Sequence, residues 1–194
     1  MIDRSNGYEG IAEEFLGGRG SVNSSGVGVR SVREWARKFQ PGAAVLDLGC
    51  GSGLPITKVL VEAGLSAYGV DAAPSYVEAF RRNFPDVPVV CEAVEDSTFF
   101  NRKFDGVLSW GLMFLLLPDT QRQLIERIGD IVVPGGRVLF TSPSKPLVWN
   151  DAMTEMESRS LGSEEYRRLL SAAGFVDIQE YERETNHYFD AVKK

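Results

Sequence analysis

The sequence predicts an α/β fold in which a mostly parallel, doubly wound sheet carries helices on both faces. Three observations lead there. Short apolar runs alternate with helical patterns from Ala44 onward, the first run ends in a glycine-rich turn, and the tail holds two successive strand-like runs. Strands alternating with crossover helices make a parallel, helix-covered sheet, and a final hairpin adds one antiparallel strand.

Two helices are expected ahead of the sheet. "YEGIAEEFL" puts Tyr8, Ile11, Ala12 and Phe15 on one face, and "VREWARKF" does the same with Val32, Trp35, Ala36 and Phe39. Between them "GGRGSVNSSGVG", residues 17–28, holds five glycines and three serines, the composition of a mobile loop. Residues 1–43 are therefore expected to form a helical lid segment on an α/β core of residues 44–194, the whole of 1–194 being one domain.

The core reads as strands at 44–48, 67–70, 87–90, 106–110 and 138–141, each a short apolar run of the kind buried on both faces. Pro55 opens a helix with Val59, Leu60 and Ala63 on one face, closed by Gly64. Pro74 opens another, with Val77 and Phe80, that closes before Pro85. Asp119 precedes a third, with Leu124, Ile125, Ile128 and Ile131 in helical register, stopped by Pro134-Gly135-Gly136. Ser163 is a suitable N-cap for the stripe Tyr166, Leu169, Leu170 and Ala173, which ends at Gly174. Strands at 175–181 and 187–192, joined by the polar "ERETN", close the sheet.

Composition narrows the function. The 194 residues, 43% hydrophobic and 25% charged, suffice for one domain with a sizeable core. A net charge of −6 lacks the basic field that a nucleic-acid backbone requires, and the pairs Arg81-Arg82 and Arg167-Arg168 read as solvated helix faces. The longest apolar run, residues 112–117, is far too short to span a bilayer, and Asp3, Glu9, Glu13 and Glu14 sit where a secretory signal would be basic and apolar. Cys50 and Cys91 form no CxxC and no metal-ligand spacing. No nucleic acid, membrane or metal partner is expected, and a reducing cytoplasm fits.

The stretch "VLDLGCGSGLP" carries the chemistry. It ends the first strand in Gly49-Cys50-Gly51-Ser52-Gly53, at the strand end where open α/β sheets bind ligands. Glycines there let the backbone approach a ligand closely. Asp71 ends the next strand, 20 residues after Gly51, where a carboxylate can accept both hydroxyls of a ribose. A dinucleotide fingerprint would need a small residue at Leu54, and Pro55 removes an N–H that a pyrophosphate would use. An adenosine ligand that is not a dinucleotide is the better reading.

"VLDLGCGSG", "AYGVDAAPSYVEAF", "EAVED", "FDGVLSWG", "PGGRVLFTSP" and "AAGFVDIQEYERETNHYFDAVK", in that order, resemble the class I S-adenosylmethionine-dependent methyltransferases, with their Rossmann-like sheet. The resemblance implies S-adenosylmethionine as cofactor, S-adenosylhomocysteine as product and in-line methyl transfer. It implies that Gly49 and Gly51 line the methionine moiety, with Asp47 holding the loop or the cofactor's amino group, and that Cys50 and Gly53 also belong to the cofactor site. Asp71 and the adjacent Ala72 would take the ribose. Glu92, Ala93 and Val94 lie where the family clasps the adenine edge, though Asp is commoner than Glu there, and Ser109 and Trp110 would border the methyl group.

Acceptor signatures are largely missing: "SWGL" holds no polar group like that of an NPPY-type motif, no Pro-Cys nucleophile is present, and the acids are not grouped for a metal. A small-molecule acceptor is what remains, bordered by Tyr8, Met113, Phe114, Trp149 and His187. Tyr8 is either core stripe or a cover for the cofactor, and Arg19 either pairs with the methionine carboxylate or is solvated. Trp149 is lid packing or pocket wall. His187, the single histidine, is a hydrogen-bonded strand residue or a general base facing the acceptor, and no other catalytic candidate stands out. The alternative to an enzyme is a cofactor-binding sensor or scaffold without chemistry, since methyl transfer needs no obligatory catalytic side chain.

Overall fold

The computed structural model describes residues 4–19 and 26–194, without the side chains of residues 15 and 17–19. The chain begins with a 3-10 turn, Glu9–Ile11, leading into α1 (Ala12–Arg19), and resumes with α2 (Val29–Ala36). There follow β1 (Ala44–Leu48), α3 (Ile56–Glu62), β2 (Ser66–Asp71), α4 (Pro74–Asn83), β3 (Val89–Cys91) and β4 (Phe104–Ser109). A 3-10 turn, Met113–Leu115, precedes α5 (Pro118–Ile131) and β5 (Val132–Thr141). The tail comprises β6 (Leu147–Asn150), β7 (Glu157–Ser160), α6 (Ser163–Ala172), β8 (Phe175–Arg183) and β9 (Asn186–Lys193).

Seven strands form one sheet in the order β3-β2-β1-β4-β5-β9-β8. The first five are parallel, and β9 runs antiparallel between β5 and β8. Sequence order reverses direction between β1 and β4, which opens a crevice at their carboxyl ends. Every residue of β1 is buried, as a central strand covered on both faces requires. Its alternation sends Leu46 and Leu48 into the cluster with α5 and α6, and Val45 into the cluster with α2 and α3. No helix among the described residues is long and apolar enough to cross a membrane.

The structure departs from the sequence expectations in several places. The first helical pattern splits into a 3-10 turn and α1, and α1 runs on to Arg19, so the expected glycine loop is shorter at its front; residues 20–25 lie outside the described residues. Helix α5 ends at Ile131, ahead of Pro134, because Val132 already pairs with Phe104 of β4. Ser163 is the first residue of α6 rather than its cap: Gly162 holds the cap position at φ 84, and the Ser163 hydroxyl donates to Glu180. The β6–β7 hairpin was not expected, since its outer residues Leu147, Val148 and Asn150 are exposed and give no buried-strand pattern.

Candidate functional site

The glycine loop between β1 and α3 is fastened to β2. The N–H groups of Gly49 and Cys50 both donate to the Val70 carbonyl, at 2.8 and 3.2 Å. The Gly51 N–H, on a residue with φ 54, donates to Asp71 Oδ2 at 2.8 Å, and the Ala73 N–H donates to Oδ1 at 2.9 Å. Asp71 thereby orders both the loop and the entry to α4, while each oxygen keeps a lone pair for a further donor.

Asp47 points to the α3 face of β1, where the Thr57 hydroxyl donates to Oδ2 at 2.6 Å. Burial pushes its carboxyl up to about 7, opposed by the Thr57 hydrogen bond and reinforced by the nearby Asp71 charge. Burial also raises Asp71, against the pull of the Ala73 and Gly51 N–H groups. The Cys50 thiol is driven well above its usual range by burial and then by the Asp71 and Asp47 charges, so it is not a thiolate nucleophile.

A cavity of about 680 Å³ opens at these strand ends, within the roughly 300–1,000 Å³ that small-molecule sites occupy. Asp47, Gly49, Cys50, Gly51, Asp71, Ala72, Ala93 and Val94 line one wall. Trp110, Gly111, Leu112 and Leu115 to Leu117 line the other, with Val27, Met156, Thr185 and Asn186 also contributing. Tyr8 and Tyr76 face the cavity with their rings edge-on, 6.5 Å apart.

The segment before α1 is pinned to this cavity. Arg4 pairs with Glu95 and Asp96 at 3.5 and 3.3 Å. Glu9 accepts from the Ser75 N–H at 3.0 Å and from its hydroxyl at 2.6 Å, placing a carboxylate on the first turn of α4. The Tyr8 hydroxyl reaches Asp151 Oδ2, beyond the end of β6, at 3.4 Å. On the opposite wall the Trp110 indole N–H donates to the Tyr188 hydroxyl at 3.3 Å, and Gly28 lies so close that a Cβ there would meet the indole Nε1 at 2.5 Å. The Gly28 N–H in turn donates to Glu184 Oε2 at 2.8 Å.

Of the cofactor residues expected from sequence, ten line this one cavity: Asp47, Gly49, Cys50, Gly51, Asp71, Ala72, Ala93, Val94, Trp110 and Tyr8. Gly53 does not; it lies against Phe84, which a Cβ would meet at 2.4 Å. Glu92 is also off the lining and is held by its backbone N–H on the Asp71 carbonyl at 2.9 Å. Ser109 is buried within β4, its hydroxyl without a partner among the described residues. The Arg19 side chain lies outside the described residues.

The acceptor border needs more correction. Met113 is fully buried in the core, and Phe114 packs on Trp149 at 5.6 Å, away from the lining. His187 does not reach the cavity. Alternation along β9 turns Tyr188 toward Trp110 and His187 with Phe189 to the opposite face, beside α6. There His187 Nε2 pairs with Glu180 Oε2 at 2.8 Å, a carboxylate partner that the sequence does not reveal. In that placement His187 is off the cavity lining and sits as a hydrogen-bonded strand residue. Sequence reasoning missed Tyr76, Glu95 and Asn186. Tyr76, inside "AAPSYVEAF", had a signal in its position just after Asp71; Asn186 and the loop residues Val27 and Met156 had none.

Residues 45–136 match the family model for a methyltransferase domain. The chain is 29% identical over 157 residues to an uncharacterized methyltransferase of Synechocystis, covering 74% of this chain and 71% of that protein. It is 34% identical over 110 residues to aklanonic acid methyltransferase DauC of Streptomyces, covering 53% of this chain and 49% of the relative, so it spans about half of that protein's length. The crystal structure of a 1,6-didemethyltoxoflavin-N1-methyltransferase from Burkholderia thailandensis superposes with a TM-score of 0.71 at 22% identity, covering 96% of this chain and 87% of that one. The matched domain begins in β1 and takes in the glycine loop and Asp71, and together with these relatives it supports a class I S-adenosylmethionine-dependent methyltransferase.

Proposed function

We propose that the cavity binds S-adenosylmethionine along the ends of β1 and β2 and presents its methyl group to a small-molecule acceptor held against Trp110 and Leu112. The observation that carries this reading is the continuity of one cavity from Asp71 and the glycine loop to the Trp110–Leu117 wall. The residues fit the cofactor: Gly49 and Gly51 leave a cradle without side chains, Asp71 retains acceptor capacity for a ribose diol, and Ala93 and Val94 give an apolar edge for a base. S-adenosylmethionine supplies an electrophilic methyl carbon, to which the acceptor's lone pair bonds in line as the carbon–sulfur bond breaks and its electrons return to sulfur.

The chain's own residues position the reactants and keep water out. Thr57 and the buried Asp47 hold the loop from beneath, Asp71 fixes it to β2, and Tyr188 orients the Trp110 ring. Holding donor and acceptor at attack distance supplies a large part of the rate in such reactions. The pinned segment from Arg4 to Ile11 acts as the cover, a dry site being favourable for a cationic donor. Calorimetry tests the reading: S-adenosylhomocysteine should bind and NAD should not, and NAD binding of equal strength would reject it.

A further inference from the structure

The acceptor wall differs chemically from the rest of the cavity. Its side chains Trp110, Leu112, Leu115 and Leu116 are apolar, and its two polar neighbours each spend one donor within their own turn: the Thr185 hydroxyl donates to the Glu184 carbonyl at 2.5 Å and the Asn186 amide donates to the same carbonyl at 3.0 Å. Among the described residues, the one cation lining the cavity is Arg4, which is engaged by Glu95 and Asp96. The carboxylates on the lining are Asp47, Asp71 and Glu95. Among the described residues, an anionic acceptor would thus enter beside acids with no free side-chain cation to meet it, its desolvation set against the cofactor's sulfonium charge alone.

Three separate segments also converge on this cavity with apolar side chains left open to water. Val27 ahead of α2, Leu117 at the start of α5 and Met156 in the β6–β7 turn are 52%, 62% and 49% exposed, and all three line it. An apolar rim assembled from distant parts of the chain and continuous with a cavity marks a ligand surface better than a single exposed residue does. One polar point accompanies it: the Asn6 amide nitrogen is buried without a partner among the described residues, on a residue that lines the cavity next to Gly7, which packs on Met156.

Resting on the methyltransferase reading, we infer that the acceptor is an uncharged, predominantly apolar ring compound that stacks near Trp110 and projects over the Val27–Leu117–Met156 rim. No side chain of the apolar wall can take a proton, so the attacking atom brings its own free lone pair, and any proton it carries leaves to water after transfer.

A matched pair of fluorescent probes tests this with the full chain saturated with S-adenosylhomocysteine. N-phenyl-1-naphthylamine is uncharged, and 1-anilinonaphthalene-8-sulfonate is the same skeleton with an anionic group. The uncharged probe should bind at least about tenfold more tightly. Leu117→Asp and Met156→Asp, both at exposed positions outside the core, should each weaken it by about fivefold or more while calorimetric S-adenosylhomocysteine affinity holds. Equal or tighter binding of the sulfonate would overturn the inference, as would indifference to both substitutions. It would also fall if light scattering showed a dimer that Leu117→Asp splits, for the rim would then be an interface between copies. Failure of S-adenosylhomocysteine to bind the unaltered chain would instead remove the methyltransferase reading on which the inference rests.

Discussion

The two walls of the cavity are built in opposite ways. The cofactor wall comes from consecutive strand ends, with carboxylates buried against backbone N–H groups and a hydroxyl: Asp71 on Gly51 and Ala73, Asp47 on Thr57. The acceptor wall comes from four distant stretches, at Val27, Trp110 to Leu117, Met156 and Thr185-Asn186, joined by apolar contact and a few loop hydrogen bonds. The first kind of wall is rigid because the sheet fixes it. The second can vary with its loops without disturbing the sheet, as expected where an enzyme family changes acceptors on a constant scaffold.

If the cofactor wall is the titratable one, pH should reveal it. Asp47 rises from 3.8 to about 7 on folding, so between those values the folded chain holds a proton that the unfolded chain has lost. Stability should therefore fall as pH rises from about 4 to about 7 and level off above. The lost stability is on the order of 4 kcal/mol at most. Asp47→Asn should remove that slope, measured as the difference between the two proteins in denaturant melts at pH 5 and 8. A slope unchanged in the variant would show that another group is responsible.

Asp71→Ala comes next in size. Loss of a charged hydrogen-bond partner should weaken S-adenosylhomocysteine binding by roughly 1.5–3 kcal/mol in calorimetry. Because Asp71 also satisfies the Gly51 and Ala73 N–H groups, the ligand-free protein should melt earlier too. Unchanged affinity with a lowered melting temperature would reduce Asp71 to a structural part and break the symmetry of function between the two walls.

Gly28→Ala probes the other wall. Its φ of +88 and its approach to the Trp110 indole leave no space for a methyl group. The substitution should cost about 1–2 kcal/mol of stability and push Trp110 out of place. Turnover should drop while S-adenosylhomocysteine affinity stays within about threefold, less than 1 kcal/mol. Equal damage to both would mean that the two walls are not separable.

The smallest effect is expected at His187, which belongs to neither wall. His187→Asn breaks the pair with Glu180 and should lower stability by about 1 kcal/mol. Its kcat and the pH profile of kcat/KM should remain within about twofold of the unaltered enzyme. A collapse of kcat would return the histidine to the chemistry.

The sheet was legible in the sequence because its strands are buried on both faces and carry uninterrupted apolar runs; β1 lies at 44–48 in both readings. So was the meeting of the glycine loop with Asp71, since the two are neighbours through the parallel pairing of β1 and β2 alone. Local sequence also determined the helix start at Pro74, where proline suits the first turn, whereas α5 starts at Pro118 and takes Asp119, expected ahead of it, into its first turn.

Tertiary structure decided the rest. The closing turn is Glu184-Thr185, both at positive φ, shorter than "ERETN" suggests, because the pairing of Arg183 with Asn186 extends the hairpin. Which face His187 takes followed from β9 docking against β5, and a shift of one residue would have exchanged it with Tyr188. The acceptor wall gathers side chains from Val27 to Asn186, each exposed or half-buried and so without periodic signal. Local patterning records whether a residue is buried by its own element; contacts across more than 150 residues, such as Gly28 with Glu184, exist only once the sheet has closed.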